Sequence, residues 1–334
     1  MAADLAAQRD GLFAGIAQNR FAVVGRVGFD AFTDAGVTLD AARQLNIDIG
    51  GSAANTAVGI CKLGGAADLI TRVSDDAVGQ FCTARLADYG VGAAHVTPVG
   101  GEARNSLAVY ESVLEGHRNV IYRNGAADFE FTKADIEAVD FPTFGAMITA
   151  GTVFAAEPSR AATFAAFERA TAVGVPIIFD VDYRPYSWPS AEEAAEVLSR
   201  AAGACAMIVG NDEEFGFMAG PGGDGLAKAR DLAARSAAVV VYKMGGGGAI
   251  TFCDGQEIRT GIYPVEAVKP VGAGDSFMAG LLTGLAAGLD MRAAVLRGSA
   301  CAAVTVSRPG CAPAMPDSAE LDAFLADHPG PTEI

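Results

Sequence analysis

An α/β fold with a mostly parallel central sheet and helices on both faces is predicted by three features of the sequence. Short apolar runs alternate with longer alanine-rich segments, glycines collect at the junctions, and two segments that break the alternation read as antiparallel strands. A short, mostly apolar run of four or five residues is the pattern of a strand buried on both faces. Such runs occupy residues 21–25, 68–71, 146–150, 177–180, 207–210, 239–242 and 249–253. Between most of them, residues 53–63, 79–89, 159–173, 191–202 and 225–236 have helical spacing of their apolar positions. Residues 31–48 and 105–128 do not fit this pattern. In the second of these, 106–113 and 118–123 read as alternating strands around a Glu115-Gly116 turn, so a small antiparallel β lid is expected to project from the main sheet. The expected organisation is a single α/β domain over residues 15–330, with a lid of about 31–48 and 105–128 inserted in it. The ends, 1–19 and 328–334, are the segments expected to be disordered.

The 334 residues include 24 Lys+Arg and 40 Asp+Glu, a formal charge of −16 at pH 7. A surface of that sign repels phosphate backbones and anionic head groups, which argues against nucleic-acid and membrane partners. Hydrophobic residues make up 51% of the chain. Even so, the longest uncharged stretch, residues 141–156, is broken by Pro142, Gly145 and Gly151 and is shorter than the ~20 apolar residues of a membrane helix. The apolar excess therefore belongs in a core. The six cysteines form no C-x-x-C pair and the three histidines are scattered. With no metal-ligand spacing and no histidine cluster beside them, the cysteines are expected to be reduced, mostly buried thiols, and the location cytoplasmic. The first twenty residues contain Asp4, Arg9, Asp10 and Arg20 and no uninterrupted apolar stretch, so no secretory signal is read there.

The 41 glycines are the compositional feature with most to say about chemistry. In Gly272-Ala273-Gly274-Asp275, followed by a helical segment at 278–289, small residues feed a helix start. Successive free backbone N–H groups and the helix dipole make such a loop an anion nest, with Asp275 beside whatever it holds; a plain helix N-cap is the simpler reading. Gly50-Gly51 opens a second helix that carries Asn55, and small residues there permit close approach of a ligand. Lys243-Met244-Gly245-Gly246-Gly247-Gly248 lies between two strand-like runs and is either a phosphate-holding turn or an ordinary hairpin. A strand follows it, so it is not a dinucleotide fingerprint, and the absence of any Gly-Lys dipeptide excludes a Walker A loop.

Taken together, these segments resemble the ribokinase-like (PfkB) carbohydrate kinases from residue 21 to about 325. Residues 50–57 match the N-terminal signature of that family and 269–280 the C-terminal one. Asn211-Asp212-Glu213-Glu214 matches its N-x-x-E motif, and 243–248 its K-x-G-x-x-G segment. Residues 25–30, 71–76, 122–128, 180–188 and 307–316 are similar to the branch that phosphorylates the 6-hydroxyl of 5-dehydro-2-deoxygluconate in inositol catabolism. Kinases of 2-keto-3-deoxygluconate look similar around 180–188, a ribokinase- or fructokinase-like kinase of a neutral sugar and a nucleoside kinase are further alternatives, and a catalytically silent sugar- or nucleotide-binding regulator is the reading from another class.

The resemblance implies ATP and Mg²⁺ as cofactors and a ribokinase-like fold with the β lid. It makes Asp275 the general base and Gly272, Ala273 and Gly274 the amides that stabilise the transferred phosphoryl group. Asn211 and Glu214 would organise Mg²⁺, largely through water, while Lys243, Gly245, Gly248 and Ser299 face the nucleotide. The adenine is expected between the segment after Cys253 and the helix at 298–304. Asp30, Gly50, Gly51 and Asn55 would bind the sugar. A carboxylate substrate approaching so acidic a protein also needs a local cation, and Arg123 and Arg184 are the candidates unless either is instead the structural partner of Asp180 or Asp182. Lys269 stands where many relatives carry an aspartate near a monovalent-cation site, so weak or absent K⁺ activation is expected. Lid strands often pair between subunits in the family, which implies a homodimer.

Overall fold

The computed structural model describes residues 5–328 and 330–332. Its strands are β1 (Arg20–Val24), β2 (Gly28–Phe32), β3 (Asn46–Gly50), β4 (Ala66–Ser74), β5 (Gly92–Val99), β6 (Leu107–Tyr110), β7 (Asn119–Tyr122), β8 (Ala146–Ala150), β9 (Ile177–Asp180), β10 (Met207–Asn211), β11 (Val239–Lys243), β12 (Ala249–Cys253) and β13 (Gln256–Thr260). The helices are α1 (Leu5–Ile16), α2 (Ser52–Lys62), α3 (Ala77–Asp88), α4 (Lys133–Glu137), α5 (Ser159–Ala172), α6 (Ala191–Ala202), α7 (Asp212–Ala219), α8 (Gly225–Arg235), α9 (Ala273–Ala286), α10 (Met291–Val306) and α11 (Ser318–Asp327).

Nine strands form the main sheet in the order β13-β12-β11-β10-β9-β8-β1-β4-β5. Pairing is parallel from β11 to β5 and antiparallel along β11-β12-β13. The strand runs read from the sequence correspond to seven of these strands, and the reason shows in the two cores. Phe21 and Val23 of β1 enter one apolar layer with α1, α2, α9 and α10, while Ala22 and Val24 enter the opposite layer with α5, α6, α7 and α8. With both faces covered, alternate residues have no polar side to show. Each large side chain so buried contributes about 2 kcal/mol.

From β1 the sheet grows one way through β4 and β5, then the other way from β8 through β11. The reversal lies between β1 and β8. At such a point the connections leave in opposite directions and open a crevice beyond the carboxyl ends of the strands.

A second sheet has the order β3-β2-β6-β7. Its outer pairs, β2–β3 and β6–β7, are antiparallel as expected, whereas the central pair β2–β6 is parallel. The strands expected at 106–113 and 118–123 are shorter than predicted, because Gly116 (φ 62) and its neighbours form a long turn.

Both ends of the chain depart from the expectation of disorder. Residues 5–16 form α1, where Leu12 and Ile16 are fully buried and Gly15 lies against Gly145 too closely for a side chain. The charges at Arg9 and Asp10 that hid this helix sit on its outer side. Near the other end, the Thr332 N–H donates to the Ile262 carbonyl at 2.8 Å and His328 stacks on Phe324. Residues 1–4, 329, 333 and 334 of the expected segments lie outside the described residues.

Candidate active site

A cavity of about 1070 Å³ opens beyond the carboxyl ends of the parallel strands, between them and the small sheet. Asp180, Asn211 and Lys243, the last residues of β9, β10 and β11, all line it. Fifteen of the sixteen site residues nominated from the sequence line this one cavity. Gly50 is the exception.

The chemical end is built from two helix starts. Gly272 has φ 85, a left-handed conformation that glycine adopts without a Cβ penalty, and it turns the chain into α9. Ala273 and Gly274 follow as the first residues of α9, with their N–H groups among those left free by helix geometry. Asp275 stands in the first turn, and the helix therefore begins five residues earlier than the apolar periodicity at 278–289 predicts. The small residues of the loop hid that turn. Gly51, with φ 97, opens α2 where a side chain would meet the Arg26 carbonyl, and α2 then presents Asn55. The Asn55 side-chain amide donates to Asp275 Oδ2 at 2.8 Å. Burial, with the charges of Asp182 and Asp180 behind it, pushes Asp275 up to about 8.

Carboxylates crowd the middle of the cavity. Burial and the charge of Asp182 raise Asp180, and burial together with Asp180 pushes Glu214 up to about 7. Burial also opposes ionisation of Asp182, but the Arg184 guanidinium at 2.7 Å, a hydrogen bond from Ser52 and the charges of Arg26 and Arg123 together outweigh it and hold that carboxyl below its usual range. Asp182 has φ 33, so its backbone is held in a region that non-glycine residues rarely adopt. Asn211 and Glu214 form a reciprocal capping box on α7. Asn211 Oδ1 accepts from the Glu214 N–H at 2.8 Å, and Glu214 Oε2 accepts from the Asn211 N–H at 2.7 Å. Glu214 is thus a buried cap with its other oxygen turned to Arg184 at 3.9 Å, rather than a solvated helix acid. Among the described residues no three acidic, histidine or cysteine side chains converge as direct metal ligands. The surplus of buried carboxylate in the cavity wall nonetheless suits a hard cation held mainly through water.

On the small-sheet side, Asp30 of β2 is buried beside Tyr110, and burial pushes it up to about 6. Gly50, its neighbour across β2–β3, is packed behind it. A Cβ at Gly50 would stand 2.1 Å from both Asp30 oxygens, so this glycine makes room for Asp30 and does not face the cavity. Arg123 donates to Asp128 at 2.5 Å and to the Thr152 carbonyl at 3.1 Å, stacked 4.1 Å from the Phe129 ring. Its partner is Asp128, not the Asp180 or Asp182 considered from the sequence. Arg184 does pair with Asp182. The third arginine, Arg26, donates to Ser106 Oγ at 2.7 Å. The sequence reading assigned it no role, although a charged residue two positions past the end of a buried strand is a recognisable sign of a crevice residue. Arg26 Nε, Arg123 Nε, Asn55 Oδ1 and Thr152 Oγ1 are buried in residues of this wall with no partner among the described residues. A concentration of unpaired polar atoms in one cavity wall marks a binding surface.

The remaining wall is the β11–β12 hairpin, residues 260–265 and α10. Lys243 reaches over the α9 loop, where a Cβ at Gly274 would lie 3.2 Å from its Nζ. Gly245 has φ 52, and Gly248, with φ 79, leaves room for the Thr260 carbonyl. Ser299 on α10 faces the same space.

Free helix-start N–H groups, a lysine above them and a buried carboxylate in the same first turn are the arrangement of a candidate phosphate-handling site in an α/β protein. The family model described as pfkB family carbohydrate kinase matches residues 18–318, and the chain belongs to that family. It is a carbohydrate kinase, a phosphotransferase that acts on an alcohol group of a sugar. The chain is similar to 5-dehydro-2-deoxygluconokinase of Photobacterium profundum, 35% identical over 309 residues, which cover 91% of this chain and 93% of that protein. It is also similar to 5-dehydro-2-deoxygluconokinase of Geobacillus kaustophilus, 35% identical over 84% of this chain and 85% of that protein. Among solved structures, fructokinase from Xylella fastidiosa with bound ATP superposes with a TM-score of 0.83 at 22% identity, over 93% of this chain and 99% of that one.

Proposed function

We propose that the protein transfers the γ-phosphoryl group of ATP to the 6-hydroxyl of 5-dehydro-2-deoxygluconate, a step of inositol catabolism. The observation that carries this reading is the make-up of the cavity, whose wall combines Asp275 in the first turn of a glycine-opened helix with three arginines, Arg26, Arg123 and Arg184. Asp275 takes the proton as the sugar oxygen bonds to the γ-phosphorus and the bond from phosphorus to the β,γ-bridging oxygen breaks. The pair of electrons leaves on ADP. A base whose pKa lies near the working pH combines availability with proton affinity. The amides of Gly272, Ala273 and Gly274 and the Lys243 ammonium face the charge on the transferred group. Magnesium, when bound, would neutralise phosphate charge, and Glu214, Asn211 and Asp180 are the residues that would hold it, largely through water. The hairpin glycines Gly245 and Gly248 and Ser299 line the space assigned to the nucleotide, and Gly51, Asn55 and Asp30 the space assigned to the sugar hydroxyls. Arg26 is the arginine least committed to a carboxylate of the protein, so it receives the substrate carboxylate, with Arg123 and Arg184 behind it.

A homodimer through the small sheet belongs to the same reading. Leu45, Ile47, Leu114, Val120 and Tyr122 are exposed on or beside it, and β3 and β7 are edges left unpaired among the described residues.

The test is ATP consumption at fixed Mg²⁺ over a panel of 5-dehydro-2-deoxygluconate, 2-keto-3-deoxygluconate, fructose, ribose and nucleosides. The highest kcat/KM is expected with 5-dehydro-2-deoxygluconate. Preference for a neutral sugar would overturn the carboxylate assignment, and no turnover with any acceptor would favour a silent binder.

A further inference from the structure

Lys269 is fully buried, does not line the cavity and has no part in the steps above. Its ammonium donates to two backbone carbonyls, Val271 at 2.5 Å and Thr305 at 3.2 Å, and among the described residues it forms no ion pair. An ammonium taken wholly out of water costs several kcal/mol unless fixed dipoles or charges replace its hydration. The two carbonyls are well chosen for that purpose. Thr305 is in the last turn of α10, where helix carbonyls lack intrahelical partners and the helix dipole is negative. Val271 immediately precedes Gly272, the residue that turns the chain into the anion loop. The ammonium therefore ties the end of one helix to the start of another, directly behind Gly272, Ala273 and Gly274. The tie is reinforced nearby. Thr305 Oγ1 meets Ser276 Oγ at 2.7 Å, and the N–H groups of Val268 and Lys269 donate to the Val306 carbonyl at 2.7 and 3.2 Å. Burial lowers the pKa of Lys269, and nearby Asp275 and Asp30, where ionised, oppose that shift.

We propose that the Lys269 ammonium is a covalently tethered monovalent cation. In this role it is a positioning residue that orders the anion loop through the Val271 carbonyl and makes phosphoryl transfer independent of free monovalent cations. Carbonyl oxygens without water are the usual ligands of such ions. Here the ion arrives on a side chain and cannot dissociate. The inference rests on the kinase reading of the loop, and it extends that reading from the residues that face the phosphate to the one that supports them.

The test compares K269A, K269Q and the wild type in Na⁺, K⁺ and NH₄⁺ buffers at constant ionic strength. Turnover is measured together with ATP affinity by calorimetry. Wild-type kcat and ATP affinity are expected to be the same in all three buffers. K269A is expected to lose on the order of tenfold or more in kcat in Na⁺, with weaker ATP binding and little change in KM for the sugar. K⁺ or NH₄⁺, which fit the space left by the ammonium, should restore most of both losses. K269Q fills that space without a charge, so it should show the same losses with no rescue. Activation of the wild type by K⁺ over Na⁺ would overturn the proposal, as would wild-type behaviour of K269A in Na⁺ or unrescued losses in K269A. Should K269A fail to fold, K269Q decides: wild-type kcat and ATP affinity sink the idea, and losses at an unchanged Tm support it. If the wild type turns over no acceptor, the kinase reading fails by itself, and ATP affinity alone still tests the tethered cation.

Discussion

Asn55 and Asp275 stand 220 residues apart in the chain and meet at 2.8 Å, the side-chain amide of the first donating to the carboxylate of the second. The bond joins the beginnings of α2 and α9 across the cavity and favours the ionised form of Asp275 against burial. Removing the donor in N55A is therefore expected to raise the Asp275 pKa further and to move the acid limb of the kcat/KM profile to higher pH. ATP affinity should not change. A pH–rate profile with an unmoved acid limb would contradict this role.

D275N should retain the fold and ATP binding and lose ~10²–10⁴-fold in kcat, the usual loss for a positioned base. It should also stabilise the protein at alkaline pH. With a pKa raised from the ordinary 3.8 to about 8, Asp275 keeps in the folded state a proton that the unfolded chain releases. Stability therefore falls as pH rises between those values. Glu214, raised from 4.5 to about 7, acts with the same sign over its own range. Thermal unfolding of ligand-free D275N and wild type at pH 5 and pH 8.5 checks this. The variant should gain on the wild type mainly at the higher pH.

Arg26 and Arg123 should separate in their consequences. R26A removes a guanidinium bonded to one hydroxyl, so KM for a sugar acid is expected to rise by about tenfold to a hundredfold with a small change in Tm. R123A strands Asp128, which is 5% exposed, without its partner. A loss of about 3–5 kcal/mol follows, visible as a fall in Tm on the order of 10 °C. Steady-state kinetics and calorimetry on the two variants distinguish these outcomes, and equal KM values in R26A and wild type would remove Arg26 from the substrate site.

G50A tests an indirect role. Its new Cβ would collide with the Asp30 carboxylate, which is buried and has little room to retreat. KM for the sugar should rise severalfold while ATP affinity stays unchanged. A matching loss in ATP affinity would mean that the substitution disturbs more than Asp30.

Charges on the exposed apolar positions of the small sheet should separate subunits. I47E and V120E are expected to be monomeric by light scattering where the wild type is dimeric, because a carboxylate buried at an interface without a partner costs several kcal/mol. A wild-type monomer would exclude the dimer.

Legibility in the sequence followed how local each signal is. Strands buried on both faces, such as β8 and β9, declare themselves because every position is apolar or nearly so. β13 carries Glu257 and Arg259 on an edge, and β5 mixes His95 with small residues, so neither shows a period. The first helix, α1, reads as a charged terminus until Leu12 and Ile16 are seen to enter the core. Within the site, backbone-determined features were readable in advance. Gly272 and Gly51 are needed for left-handed turns at helix starts, and a carboxylate three residues past Gly272 has one place to go.

Pairing was not readable. Which guanidinium meets which carboxylate depends on loops brought together from distant parts of the chain, so Arg123 found Asp128 and Arg184 found Asp182. Arg26 kept an unpaired nitrogen at the wall, and Gly50 served Asp30 instead of a ligand. Lys269 shows the division most plainly. Its charge at that position is visible in one dimension as a departure from the family pattern. The Val271 carbonyl is local, but only the crossing of α10 behind the anion loop adds the Thr305 carbonyl that completes the solvation of a buried ammonium. Backbone conformation and apolar periodicity are local properties and travel with the sequence. The solvation and pairing of a charge are set by what the fold places around it.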